Sequence, residues 1–151
     1  MLQLARKADR EAVNALAVHA HEMHVAWRPD LYVSVSELYP EERFDEAVRQ
    51  RQLYVAKIEE TVVGYARLTM HTCDWPGMVK RKIMTVEEFC VHESCRGQGI
   101  GKEMMAEVRA LAAAFRCTDL QLGVYPQNDD AVGFYQKCGF TIRSIEMQRT
   151  V

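Results

Sequence analysis

Val86-Glu87-Glu88-Phe89-Cys90-Val91-His92-Glu93-Ser94-Cys95-Arg96-Gly97-Gln98-Gly99-Ile100-Gly101-Lys102 decides how the rest of the chain is read. An apolar run carrying two carboxylates reads as a strand, and it passes through Gly97, Gly99 and Gly101 into the start of a helix. Glycines let backbone N–H groups turn toward a ligand, and the first turn of a helix offers unsatisfied donors at the positive end of its dipole. Phosphate is the natural guest of such a loop. Spacing excludes two familiar cradles. A Walker loop needs Lys followed by Ser or Thr, but Lys102 is followed by Glu103. A dinucleotide fingerprint needs G-x-G-x-x-G, and Lys102 stands where the third glycine should be.

Working outward, Leu120 to Phe140 reads as strand, turn, helix, with Gly139 placed to cap that helix at its C-terminus. Two patterns now coincide. Arg96-x-x-Gly99-x-Gly101 resembles the coenzyme A pyrophosphate loop of the GCN5-related N-acetyltransferases, the GNAT family. Ala131, Phe134, Tyr135, Gly139 and Phe140 match the family signature A-x-x-F-Y-x-x-x-G-F without departure, and 39 residues separate Arg96 from Tyr135 as in spermidine/spermine acetyltransferases. The resemblance covers roughly the last two-thirds of the chain.

The resemblance implies one domain over residues 1–151, of α/β (α+β) class, with a mixed, strongly twisted central sheet flanked by helices and parallel strands splayed around the pantetheine. It implies acetyl-CoA as cofactor and assigns site residues. Phe89, Cys90 and Val91 would offer backbone groups to the pantetheine and thioester carbonyl. Amides of Gly97, Gln98, Gly99, Ile100, Gly101 and Lys102 would surround the pyrophosphate, with Arg96 adding charge and Asn128 anchoring the arm from the other strand. Tyr135 would be the general acid. Glu87, nine residues before Arg96, matches the carboxylate several members use as base. Glu88 competes with it, and because adjacent strand residues face opposite sides, only one of the two is expected to look into the cleft.

The chemistry asks for such groups. A lysine-like amine with a pKa of about 10.4 is protonated at neutral pH, and freeing its lone pair costs roughly 4 to 5 kcal/mol. An N–H aimed from the Val91 region can stabilise charge on the thioester carbonyl oxygen. A thiol with a pKa near 8.5 is a tolerable leaving group, so an acid such as Tyr135 should assist departure without being indispensable. Cys90 and Cys95 raise the alternative of an acetyl-cysteine, but neither has a His and carboxylate partner at recognisable spacing. Cys90 reads instead as a small buried apolar residue.

Composition removes other classes. A formal charge of -2 and a pI near 6.2 give no general attraction to nucleic acid, although a specific basic partner stays open. No apolar run approaches a bilayer span, and the N-terminus lacks a signal-peptide core, so a cytoplasmic protein with no membrane partner is expected. Five cysteines, at 73, 90, 95, 117 and 138, contain no C-x-x-C pair and imply reduced thiols. His19, His21, Glu22 and His24 lack the H-E-x-x-H spacing, so no metal is expected.

The remaining elements follow from periodicity. Met1–Lys7 suggests a strand, and Asp9 an N-cap for a helix with Val13, Leu16, Ala17 and Ala20 on one face. A polar helix is expected from Glu41 to Arg49. A hairpin is expected from Leu53–Glu59 and Val62–His71 across Glu60-Thr61, and a strand from Arg81 to Val91. A helix from Gly99 to Phe115 presents Met104, Met105, Val108, Leu111 and Ala112 as a core stripe, and final strands are expected over Leu120–Tyr125 and Phe140–Thr150. Trp27, Arg28, Pro29, Asp30 and Tyr32 lie where the family builds its variable substrate wall.

These readings favour acetyl transfer from acetyl-CoA to a primary amine on a small molecule, polyamine, peptide or protein, by direct attack in a ternary complex. A non-catalytic acyl-CoA sensor and an O-acetyltransferase are the alternatives. The apolar alternation of Phe140, Ile142 and Ile145 suits either a homodimer contact or an internal core.

Overall fold

A computed structural model describes residues 1–151. Its elements are β1 (Leu2–Leu4), α1 (Arg10–Trp27), α2 (Glu41–Arg49), β2 (Leu53–Ile58), β3 (Thr61–Cys73), β4 (Arg81–Val91), α3 (Ile100–Ala114), β5 (Asp119–Leu122) and α4 (Asp129–Lys137). The five strands form one mixed sheet in the order β1-β2-β3-β4-β5, antiparallel except for the parallel pair β4 and β5. The crossover that makes β4 and β5 parallel is α3, as parallel neighbours require.

Strand alternation feeds a core on each side of the sheet. Val55 and Tyr65 face α1 and α2, where they meet Val13, Leu16, Ala17, Phe44 and Ala47. Their neighbours Tyr54 and Ala66 face α3, where they meet Met105, Val108 and Ala112 together with Leu68, Met84 and Val86. Val13, Leu16 and Ala17 recur at the helical spacing of a single stripe. Fully burying a side chain such as Val13 or Leu16 contributes about 1.5 to 3 kcal/mol.

Gly139 ends α4 as expected. Its φ is +93°, its N–H donates to Gln136 O at 3.0 Å, and Phe140 N–H donates to Tyr135 O at 3.0 Å, the paired bonds of a Schellman cap. Asp9 does precede α1, but it makes no side-chain cap bond to that helix. Its buried carboxylate instead accepts from Arg6 N–H and pairs with Lys57, each at 2.8 Å.

Two expectations need correction. The β2–β3 turn falls on Glu59 and Glu60, one residue before the expected position, with φ of 46° and 66° at the two glutamates. Positive φ at both central residues is the twist a two-residue hairpin demands, and here it overrides side-chain preference. The expected strand over Phe140–Thr150 does not form, and β5 stops at Leu122 instead of Tyr125. No backbone hydrogen bond is made beyond Phe140, and Ile142, Ile145 and Met147 are 75%, 81% and 90% exposed. The segment is tethered by side chains only, Arg143 to Gln121 at 3.2 Å and Arg28 to Gln148 at 3.0 Å. Alternation specifies a strand only where a neighbouring backbone supplies a ladder, and the internal-core reading of Ile142 and Ile145 is excluded by their exposure.

Candidate active site

The parallel ladder between β4 and β5 is short. It runs from Ile83 with Asp119 to Val86 with Leu122, yet β4 continues as a strand for five more residues to Val91. Beyond Val86 the strand has no partner on that edge, because β5 ends at Leu122, and the stretch Glu88–Val91 is paired on its β3 side alone. Because His92 N–H donates to Val63 O on β3, and backbone groups alternate direction along an antiparallel strand, Val91 and Phe89 turn theirs toward the open edge. A ligand lying there finds amide donors and acceptors at strand spacing.

A β-bulge marks the point of separation. Arg67 on β3 faces Glu88, but the next residue, Leu68, faces Val86, so Glu87 is the extra residue. The bulge changes which carboxylates share a face. Glu88 accepts from Tyr65 O–H at 2.8 Å and lies 3.9 Å from Arg67, while Glu87 accepts from Thr69 O–H at 2.6 Å. Tyr65, Arg67 and Thr69 are alternate residues of β3 and point to one face. Glu87 and Glu88 are therefore on the same side of the sheet, not on opposite sides as simple alternation implies.

At the end of β4 the chain passes through a short 3-10 turn, Glu93–Cys95, into the glycine loop. Gly97 and Gly99 have φ of +74° and +86°, the left-handed region that L side chains avoid, and a Cβ built on either meets nothing within 4 Å. Gly101 is in the ordinary helical region, and a Cβ there would make normal contact with Phe134 at 3.4 Å and Val91 at 3.6 Å. Ile100 is buried and anchors the first turn of α3, while Gln98 is pinned by Nε2 to Ser94 O at 2.9 Å. Arg96 and Lys102 are exposed, and Arg96 Nε donates to Val91 O at 3.1 Å, tying the loop to the open strand edge. A turn of open volume with left-handed glycines, a helix N-terminus and two cations suits a diphosphate. Coenzyme A, with its diphosphate at one end and amide-bearing arm beyond, fits the sequence of loop and free edge.

Tyr135 stands on α4 across the cleft. Its ring packs against Phe89, Phe134 and Phe140 at centroid distances of 6.4, 5.3 and 5.8 Å. Burial, reinforced by Cys138 and Cys90, pushes its hydroxyl up to about 12. Asn128 is the N-cap of α4: its Oδ1 accepts from Ala131 N–H at 3.2 Å, which leaves its amide N–H₂ for a ligand. Cys90 is 6% exposed and its thiol is pushed up by burial, so it is a poor nucleophile.

On the α1 side, rings from three places converge. His24 lies 5.4 Å from Tyr32, 5.6 Å from Tyr125 and 5.8 Å from Trp27, and the hydroxyls of Tyr32 and Tyr125 are 2.6 Å apart. This contact joins the α1–α2 loop to the segment after β5. Arg28 and Asp30 form a two-pronged ion pair at 2.8 and 2.6 Å. Trp27 and Tyr32 thus share one aromatic cluster with His24 and Tyr125, and Arg28 and Asp30 pair in the loop between Trp27 and Tyr32. Sequence reading missed Tyr39, Arg43, Tyr65 and Arg67 around Glu88, because residues spread over a loop, a helix and a strand leave no local pattern.

Comparisons with known proteins agree with this fold. A curated relative, the spermine/spermidine N(1)-acetyltransferase of Bacillus subtilis (strain 168), is 32% identical over 56 residues, 36% of this chain. That match spans 37% of the length of the relative. Among solved structures, a mutant of the BH1408 protein of Bacillus halodurans superposes with a TM-score of 0.94 at 28% identity, covering 100% of this chain and 99% of that one. An aminoglycoside N-acetyltransferase solved in complex with CoA superposes with a TM-score of 0.66 at 15% identity over 100% of both chains, a likeness of fold. The model of the acetyltransferase (GNAT) family matches residues 17–140, and the chain belongs to that family.

Proposed function

We propose that this acetyltransferase moves an acetyl group from acetyl-CoA to a primary amine by direct attack in a ternary complex. The observation that carries the reading is the edge of β4 left without a partner beyond Val86, which leads into the left-handed glycine loop and so offers backbone groups in the order an amide arm and a diphosphate need. Coenzyme A supplies the acetyl thioester. Backbone amides from Gly97 to Lys102 hold the diphosphate, and Phe89 and Val91 hold the arm. Val91 N–H, turned to the open edge, stabilises charge gathering on the acetyl carbonyl oxygen.

Glu87 removes the proton from the acceptor ammonium, directly or through one water. Its Oε1 is held by Thr69, which leaves Oε2 of this exposed residue without a hydrogen-bond partner in the protein. Tyr135 O–H gives its proton to the departing sulfur. The enclosed thiol Cys90 takes no covalent part, and incubation with acetyl-CoA alone should leave the protein mass unchanged. Polyamines are the first acceptors to try, because the matched 56 residues are 32% identical to a spermine/spermidine N(1)-acetyltransferase.

Release of free thiol, measured across a panel of polyamines, aminoglycosides, peptides and hydroxyl acceptors, tests the reading. Transfer to an amine supports it, transfer to hydroxyls alone makes the protein an O-acetyltransferase, and tight coenzyme A binding with no transfer makes it a sensor. Glu87→Gln should lower turnover most strongly below the pKa of the amine, where deprotonation limits the rate. An unchanged pH–rate profile in that variant removes its role as base.

A further inference from the structure

The bulge at Glu87 sets two neighbouring carboxylates on one face, and their surroundings differ sharply. Glu87 is exposed and touches Thr69 alone. Glu88 is enclosed by donors. Its Oε2 accepts from Tyr39 O–H and from Tyr65 O–H, each at 2.8 Å, and its Oε1 accepts from Arg43 Nη2 at 3.0 Å with Arg67 Nη1 at 3.9 Å. These donors come from the loop before α2, from α2 itself and from β3, so one carboxylate ties the acceptor side of the protein to the strand that opens the cleft. The remaining contacts hold the same joint. Arg43 stacks 4.5 Å over the Tyr39 ring and donates to Leu38 O at 2.5 Å, while Leu38 and Tyr39 N–H groups both donate to Asn14 Oδ1 on α1, at 2.8 and 2.9 Å.

A carboxylate so filled is badly placed to act as a base. Taking a proton would break charge-assisted bonds to groups that do not release theirs. Burial, then the neighbouring Glu88 charge, pushes both phenols well above the usual tyrosine range. Orientation is what such a network does supply, since each bond fixes a different element against the bulge.

We propose that Glu88 is a positioning residue of the transfer reaction: it clamps Tyr39, Arg43 and Tyr65 onto β4 at the bulge and so fixes the direction of Glu87. The inference rests on the reading of Glu87 as base. It assigns the two carboxylates separate tasks: Glu88 organises and Glu87 exchanges protons.

The test compares Glu87→Gln, Glu88→Gln and the double variant, with kcat and KM measured from about pH 6 to about pH 10 and the folded fraction checked by thermal melting. Glu88→Gln should lower kcat by about tenfold while keeping the acidic limb of its pH profile where the wild type has it. If Glu88 acts through Glu87, the double variant should be no slower than Glu87→Gln within about twofold. Losses that multiply instead show that Glu88 acts independently, and they overturn the proposal. Loss of the acidic limb in Glu88→Gln but not in Glu87→Gln makes Glu88 the base and also overturns it. A kcat unchanged per folded molecule reduces Glu88 to a purely structural residue. The pH profile of Glu87→Gln judges the base reading on its own, so the two failures are separable. Tyr39→Phe removes one donor and keeps the ring packing, and it carries the same comparison with Glu87→Gln if Glu88→Gln does not fold.

Discussion

The left-handed glycines offer a controlled perturbation, because the chain has one outside the cleft with the same geometry. Gly77, at the tip of the β3–β4 hairpin, has φ of +82°, and a Cβ added there meets nothing within 4 Å. Gly97 and Gly99 share those properties at +74° and +86°. Alanine at any of the three therefore creates no clash within the protein and costs only the backbone strain of a left-handed L residue, about 1 to 2 kcal/mol. For a chain of this size each kcal/mol lowers Tm by roughly 2 to 4 °C, so all three variants should lose roughly 2 to 8 °C. Coenzyme A affinity should separate them. Relaxing φ at position 97 or 99 swings amides away from the diphosphate, and each charge-assisted hydrogen bond lost removes about 1.5 to 3 kcal/mol, about a 10- to 150-fold rise in Kd. Gly77→Ala should bind coenzyme A like the wild type. Titration calorimetry on folded protein, with melting of the same samples, reads both quantities. Equal loss of affinity in Gly77→Ala, or none in Gly97→Ala and Gly99→Ala, would refute the claim that these amides hold the diphosphate.

Tyr135→Phe should fold normally, since the ring contacts with Phe89, Phe134 and Phe140 survive, and should lose about 10- to 100-fold in the chemical step, at or below the lower end of general-acid effects because thiolate leaves readily. With its hydroxyl pushed up to about 12, Tyr135 stays protonated through mildly alkaline pH, so rates followed toward about pH 10 should show no alkaline limb from this group. An unchanged rate where chemistry limits turnover rejects the acid role. His24 is held below its usual value first by burial among Tyr32, Tyr125 and Trp27 and then by His21. A histidine depressed in the folded state contributes stability present above its unfolded pKa of about 6.5 and lost as pH falls through the folded value. Tm should accordingly fall on acidification below about pH 6.5, and His24→Gln should flatten that part of the curve; an identical slope in the variant would place the sensitivity elsewhere.

The parts of this site that follow a local rule were legible in the sequence, and the parts that depend on pairing were not. Gly97, Gly99 and Gly139 could be read because a chain that must adopt positive φ at those points advertises it in the residue itself. The stripe of α3 and the limits of α2 and β4 followed from periodicity for the same reason. A bulge has no such mark. Nothing in Val86-Glu87-Glu88-Phe89 says that one residue is extra, because the decision is made by how Arg67 and Leu68 on β3 count against it. The count then reverses the sides of everything after it. Without the bulge, Val86 and Glu88 would share the α3 face; with it, Val86 and Phe89 face α3 while Glu88 and Cys90 face α1. One extra residue thus delivers a carboxylate pair to the α1 face and a packing ring, Phe89, to the Tyr135 side. It does so at the position where β4 leaves β5. The two features adjoin, since the extra residue follows directly on the last pair of the β4–β5 ladder: it turns Glu87 to the face that carries Thr69 and Glu88, and the strand after it keeps Phe89 and Val91 free of a strand partner on the open edge.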